Sequence, residues 1–277
     1  FGGLVNPPST NQQSVTEEYD GSSWTNGGNL NNARSRLAGA GSQTAALAFG
    51  GLLADASNTN KTEQYNGTSW TATSNMILAR KYISGLGTSA AALAVGGSGV
   101  PGSERGTEEF VTGASPFAAW STSNNMGTAR RRLGGVGTQT AALAVGGELP
   151  PATTATEEYN GSSWTAGGNL GTSRDKLAVG GAGTQTAALA IGGDTPSGDG
   201  ITGTEEYNGS SWTNGGALSS PRFLAGGAGT QTAALVFAGN DGGTNGSVVT
   251  EEYNGSSWTS GGNMATPKAY TAGCGLQ

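Results

Sequence analysis

Six tryptophans recur along this 277-residue chain at near-regular spacing, and each closes the same phrase. Trp24, Trp70, Trp120, Trp164, Trp212 and Trp258 are 46, 50, 44, 48 and 46 residues apart. A period in the forties, built from short apolar runs and Gly-rich punctuation, specifies stacked supersecondary units that share one core. A unit of that size is too small to bury a core alone and needs its neighbours. The whole chain, 1–277, therefore reads as one domain.

One unit shows how its strands arise. Ala142 to Gly147 (ALAVGG) is an apolar run stopped by two glycines, a strand with its exit. A variable stretch, ELPPATTA, follows, then TEEY (Thr156 to Tyr159), Asn160-Gly161 and SSWT. Asn-Gly between two short strands favours a type I′ hairpin, whose turn residues both need φ > 0. After the tryptophan comes a polar loop with one apolar residue, then KLAVGGAG and TQTAALA, which return to the double glycine. That is four antiparallel strands per unit, the blade of a β-propeller.

The recurrence is tight. The hairpin aromatic is Tyr19, Tyr65, Phe110, Tyr159, Tyr207 and Tyr253, and the loop apolar residue is Leu30, Met76, Met126, Leu170, Leu218 and Met264. Ten residues after each tryptophan stands a cation: Arg34, Arg80, Arg130, Arg174, Arg222 and Lys268. The first glutamate of the hairpin is Glu17, Glu63, Glu108, Glu157, Glu205 and Glu251. Residues repeated in every unit serve what every unit shares, so these two sets are expected to form structural ion pairs within or between blades. In TEEY the first Glu and the Tyr share a strand face. The second Glu, replaced once by Gln64, is expected to face solvent. The tryptophans are structural aromatics, each worth about 2–3 kcal/mol when buried.

NMGTAR (Asn125 to Arg130), AVGG (Ala144 to Gly147) and EEYNGSSW (Glu157 to Trp164) follow the order of the kelch repeat, which this chain resembles over nearly its whole length. The shorter Tyr-to-Trp turn and the uniform Gly/Ala-rich strands depart from that pattern. The near-identical Gly/Ser/Thr/Asn-rich copies are also similar to kelch-like repeats of bacteriophage structural and fibre proteins, marine ones especially. Six phrases imply a six-bladed propeller of four-stranded blades. Phe1-Gly2-Gly3 matches Phe49-Gly50-Gly51, and AGCGLQ (272–277) matches AGAGSQ (38–43), so the two ends are expected to supply strands of one shared closing blade. The join lacks TAALA. The chain opens on Phe1 without a signal-peptide pattern, and reads as a fragment of, or a product processed from, something longer.

Composition narrows the chemistry. A formal charge of −6 with no Lys/Arg run argues against a nucleic-acid partner. No apolar run is long enough for membrane insertion. Without histidine, Ser-His chemistry and the common zinc or copper sites have no ligand set, and no cofactor is implied. A loop calcium on Asp194, Asp199 or Asp241 is the metal chemistry left open. Cys274, the one cysteine, permits no internal disulfide. The resemblance leaves room for a sugar epimerase or mutarotase working with Arg and Glu. Five Asn-Gly-Ser/Thr sequons, at Asn66, Asn160, Asn208, Asn245 and Asn254, read mainly as hairpin turns.

Function is expected where the copies differ. Their length changes fall between the double glycine and TEEY, in loops that a four-stranded blade gathers on one rim, around the mouth of the central channel. Asn58, Arg105, Glu148, Asp194, Asp199 and Asp241 are the ligand-binding candidates there. A longer third hairpin, Val111 to Ala119, projects Phe117 from the opposite face, either as a docking knob for a neighbouring chain or as a drifted loop. The expectation is a non-enzymatic recognition module, extracellular or on a virion surface, that binds a glycan or protein receptor. The alternative is a structural subunit packed against neighbouring virion or assembly proteins.

Overall fold

A computed structural model describes residues 1–5, 11–112, 118–178, 182–241 and 246–275. Five four-stranded antiparallel sheets follow one another along the chain. Blade 1 is Ala38–Ser42, Ala45–Phe49, Thr62–Tyr65 and Trp70–Thr73. Blade 2 is Ser84–Gly87, Ala91–Val95, Thr107–Val111 and Ala119–Ser123. Blade 3 is Gly134–Thr138, Ala141–Val145, Thr156–Tyr159 and Trp164–Ala166. Blade 4 is Gly183–Thr184, Ala187–Ile191, Thr204–Tyr207 and Trp212–Asn214. Blade 5 is Gly226–Gly229, Ala234–Phe237, Thr250–Tyr253 and Trp258–Ser260. The architecture is a β-propeller.

The expected count of six blades is corrected to five. The first phrase makes only a two-stranded hairpin, Glu17–Tyr19 against Trp24–Asn26. The ends do meet beside it: the Phe1 amine donates to Ala272 O at 3.0 Å and Ala272 N donates to Phe1 O at 3.2 Å. Gly2 and Gly3 (φ 64° and 107°) repeat the backbone of Gly50 and Gly51 (φ 62° and 109°). Neither end is a strand, however. In blade 1 the counterpart of Phe1 is Phe49, the last residue of the strand Ala45–Phe49. Among the described residues no second strand stands between the hairpin and 272–275. A cleft of about 300 Å³ lies there, lined by Tyr19, Trp24, Tyr65, Trp70, Leu235 and Phe237 among others.

The Tyr-to-Trp turn also differs from expectation. Tyr159 pairs directly with Trp164, leaving a four-residue loop, Asn160 to Ser163, rather than a two-residue type I′ turn. Only the glycine, Gly161 at φ 89°, is left-handed. Asn160 Oδ1 instead accepts the backbone N–H groups of Ser162 and Ser163, at 3.0 and 2.9 Å. Asn66, Asn208 and Asn254 do the same, and Asp20 does so in the hairpin.

Inner strands are glycine-rich because backbones crowd near the axis. A Cβ on Gly85 would lie 2.5 Å from Gly39 O and 2.7 Å from the Phe49 ring, inside van der Waals contact. The cores lie between blades. Leu93, Val95, Met126 and Leu133 pack with Ala142, Ala144 and Tyr159 of the next blade, with Trp164 at the edge. Each hairpin aromatic stacks on its own tryptophan, at 4.9 Å for Tyr159–Trp164 and 5.2 Å for Phe110–Trp120.

Candidate functional site

The repeated polar residues stitch the blades together. The cation after one tryptophan pairs with the first glutamate of the following phrase: Arg34–Glu63 (2.9 Å), Arg80–Glu108 (2.7 Å), Arg130–Glu157 (2.8 Å), Arg174–Glu205, Arg222–Glu251 (3.3 Å) and Lys268–Glu17 (2.7 Å). All twelve residues are buried. The other guanidinium nitrogen of Arg80 donates to Gly96 O and Gly106 O, fixing the double-glycine exit, while Glu108 accepts Ile77 N at 2.6 Å. Burial lowers the pKa of each of these cations against the opposing pull of its glutamate, to about 10 for Arg34.

The tryptophans reach backwards. Trp24, Trp70, Trp120, Trp164, Trp212 and Trp258 donate Nε1–H to Thr250, Thr16, Thr62, Thr107, Thr156 and Thr204 at 2.9–3.2 Å. The second glutamates, expected to face solvent, are half-buried acceptors instead. Tyr65 donates to Glu18 at 2.5 Å, Tyr159 to Glu109 at 2.6 Å, Tyr207 to Glu158 at 2.6 Å, Tyr253 to Glu206 at 2.5 Å, and Tyr19 to Glu252. The correction has a physical cause: a phenol at a blade seam needs an acceptor, and the neighbouring carboxylate is within reach. These recurring groups have structural partners and are taken up in the scaffold.

One recurring position is different in kind. Two residues after each phrase cation come Arg36, Tyr82, Arg132, Lys176, Leu224 and Tyr270, all with φ between 53° and 57°. Their backbones form a closed ring. Tyr82 N donates to Arg36 O, Arg132 N to Tyr82 O, Lys176 N to Arg132 O, Leu224 N to Lys176 O, Tyr270 N to Leu224 O and Arg36 N to Tyr270 O, at 2.9–3.1 Å. The left-handed region costs a non-Gly residue on the order of 1 kcal/mol, and such strain concentrates at functional positions. Glycine would be the least strained choice, yet every blade keeps a side chain there.

This ring encircles the axis at the end where each inner strand begins and each second strand ends, because Gly134 pairs with Val145 and Ala38 with Phe49. The variable loops leave from the same end. Bridges Lys81–Ser98, Arg131–Glu148, Asp175–Asp194 and Phe223–Asn240 tie each loop to the residue just before the ring. Below the ring, the channel is a cavity of about 180 Å³ lined mainly by glycines such as Gly39, Gly85 and Gly135. The mouth is thus where variable side chains and variable loops meet.

Its electrostatics are mixed. The Arg36 guanidinium lies 5.2 Å from the centre of the Tyr82 ring and 4.9 Å from that of Tyr270. Arg132 lies 4.5 Å from the Tyr82 centre, and Lys81 contacts the same ring at 5.9 Å. Glu148 bonds both Arg131 (3.0 Å) and Arg132, Asp175 lies 3.7 Å from Arg132, and Lys176 bonds Asp194. Burial raises the Asp175 carboxyl to about 6; Lys176 and Arg132 pull it down, Glu148 and Asp194 push it up.

Of the six rim residues singled out in the sequence, Glu148 and Asp194 contact the mouth cations. Asn58 is half-buried in its loop, bridged to Leu52, with Oδ1 unpartnered. Arg105 ends a short 3₁₀ turn, Ser103–Arg105, and is exposed. Asp199 is exposed and accepts Ser197 Oγ at 2.8 Å, and Asp241, also exposed, acts electrostatically on Arg222. Among the described residues no group of three or more His, Cys, Asp and Glu is placed to hold a metal ion. Phe117 lies outside the described residues. The ring itself was missed in the sequence. Its signal was there: a position that changes among Arg, Tyr, Lys and Leu, always two residues after a fixed cation. No protein-family model matches the chain, and no curated protein sequence is similar to it.

Proposed function

We propose that this propeller is a non-enzymatic recognition module that holds a receptor or glycan on its variable-loop face, displayed outside a cell or on a virion. One observation carries the reading. The shared positions are taken up in seam bonds, whereas the channel mouth is the place where a strained, common backbone position presents side chains that vary among the copies, Arg, Tyr, Lys or Leu. Rigid scaffolds with variable loops around one opening are a recurring design for binding. The kelch-like phrase order, and its likeness to repeats of phage fibre and decoration proteins, supports the virion setting.

The test is a broad glycan array run with the purified chain beside a variant whose variable loops are replaced by short Gly/Ser turns. Binding that the variant loses supports the reading. Recovering the bound sugar and checking it for epimerisation separates recognition from isomerase chemistry, since Arg132 and Glu148 do meet at the mouth. Binding by neither protein sinks the glycan reading and favours a structural subunit. Ile77, Val100, Val111 and Leu149, the exposed large apolar residues among those described, are then the first positions to examine.

A further inference from the structure

We infer that the channel mouth is a carboxylate-binding site, with Arg36 as its principal ligand contact, and that the ligand is a saccharide bearing a carboxylate; this rests on the recognition reading above. Arg36 differs from the other cations at the mouth. Arg131 and Arg132 are engaged by Glu148, and Lys176 by Asp194. Among the described residues Arg36 has no carboxylate partner; its guanidinium rests instead against the adjoining rings of Tyr82 and Tyr270, whose centres are 6.2 Å apart. Contact with two rings restricts the guanidinium, so less rotamer entropy remains to be lost on binding. Its Nε is buried without a hydrogen-bond partner.

The surroundings favour an anion. Arg36, Lys81, Arg131, Arg132 and Lys176 gather around an opening that Glu148, Asp175 and Asp194 only partly neutralise. The chain as a whole is acidic, with a net charge of −6, so the mouth, where five cations face three carboxylates, is a local reversal of sign. The ring's hollow, bounded by Arg36, Tyr82, Arg132, Lys176, Leu224 and Tyr270, holds about 20 Å³, room for a carboxylate oxygen or a water and no more.

A sugar fits better than an acidic peptide. Extended peptides dock largely through main-chain hydrogen bonds to an open edge. At this mouth the ring N–H and C=O groups are bonded to one another, and the bridges from Lys81 to Ser98 and from Asp175 to Asp194 occupy the adjacent backbone. What the hollow offers a ligand is side chain: the tyrosine rings of Tyr82 and Tyr270 and the cationic groups of Arg36, Arg132 and Lys176. Aromatic faces with cationic donors beside them suit the ring and hydroxyls of an acidic sugar.

The experiment is titration calorimetry with three probes: a glucuronic-acid oligosaccharide, its methyl ester, and an acidic peptide. Each is run against the wild-type chain, Arg36→Gln, and Asp20→Asn, a charge change in a Tyr-to-Trp turn at the opposite end of the blades, where other copies carry asparagine. The proposal expects the acid to bind, the ester and peptide not to, and Arg36→Gln to weaken binding by about tenfold or more with Asp20→Asn unchanged. Unaltered thermal unfolding of Arg36→Gln shows that the loss is local. Equal binding of acid and ester, or indifference to Arg36→Gln, overturns the carboxylate site and leaves the recognition reading standing. Binding of the peptide alone overturns the saccharide. Binding of none overturns the proposal, while the glycan array judges the broader reading separately.

Discussion

Tyr159 donates its hydroxyl to Glu109 of the preceding blade at 2.6 Å, and burial together with that contact pushes the phenol up to about 12. Phe110 stands where the other phrases have tyrosine, and the phrase before it carries Gln64 where the others have glutamate. The two departures fall on one seam. Where no hydroxyl is offered, no charged acceptor is kept half-buried, as the cost of burying an unpartnered carboxylate requires. Tyr159→Phe is expected to destabilise by about 1–3 kcal/mol, since it strips Glu109 of a charge-assisted bond. Restoring the pair in blades 1 and 2 should show coupling. Gln64→Glu alone should lower stability, and Gln64→Glu with Phe110→Tyr should recover the loss, in a double-mutant cycle read by urea unfolding. Independent effects of the two changes would refute the link.

Each buried ion pair is a second target. Glu108→Gln keeps the volume but leaves the Arg80 guanidinium without its counter-charge in a buried seam. The expected cost is about 3–5 kcal/mol. Replacing both partners by apolar residues, Arg80→Met with Glu108→Leu, should cost less than Glu108→Gln alone, because no charge is left unpaired. The polar contacts of Gly96 O and Gly106 O are lost with Arg80, so full recovery is not expected. Thermal unfolding of the three proteins checks the order.

The fold's repeat was legible because Trp164, Tyr159, Gly146-Gly147 and Arg130 each carry a local physical role that recurs at fixed spacing. Blade number was not, since it depends on what pairs across the ends. Six phrases are present, but Glu17–Tyr19 pairs only with Trp24–Asn26, in a two-stranded sheet. The role of Glu158 escaped because its partner, Tyr207, lies 49 residues away across a seam that one strand's alternation cannot reveal. The mouth was half visible. Glu148 and Asp194 could be found as loop outliers, whereas Arg36 and Tyr82 lie in otherwise uniform sequence, where only the backbone conformation marks them.

That conformation gives a third prediction. At φ 57° a Cβ is strained, so Arg36→Gly and Arg36→Ala, which remove the same contacts with Tyr82 and Tyr270, should differ. The glycine variant is expected to be more stable by about 1 kcal/mol, the reverse of the order in a helix or strand. Equal stabilities, measured by denaturant unfolding, would mean that the ring position carries no strain.

Asp175 sets the pH response of the mouth. Its carboxyl is raised to about 6 by burial and by Glu148 and Asp194, against Lys176 and Arg132, while an unfolded chain releases that proton near its ordinary value of 3.8. Between those two values the folded state binds more protons than the unfolded one, so this group's contribution to stability is present below about 4 and is lost as pH rises through about 6. Asp175→Asn should therefore stabilise the chain at pH 7 relative to wild type, with the advantage shrinking as pH falls. The same proton changes the charge around Arg132. Below pH 6 the mouth gains net positive charge while a uronate probe remains ionised, so its binding should tighten as pH falls from 7 to 5. In Asp175→Asn the affinity should be flat across that range and match the wild type's low-pH value. A variant that keeps the wild-type pH dependence would locate the titrating group elsewhere.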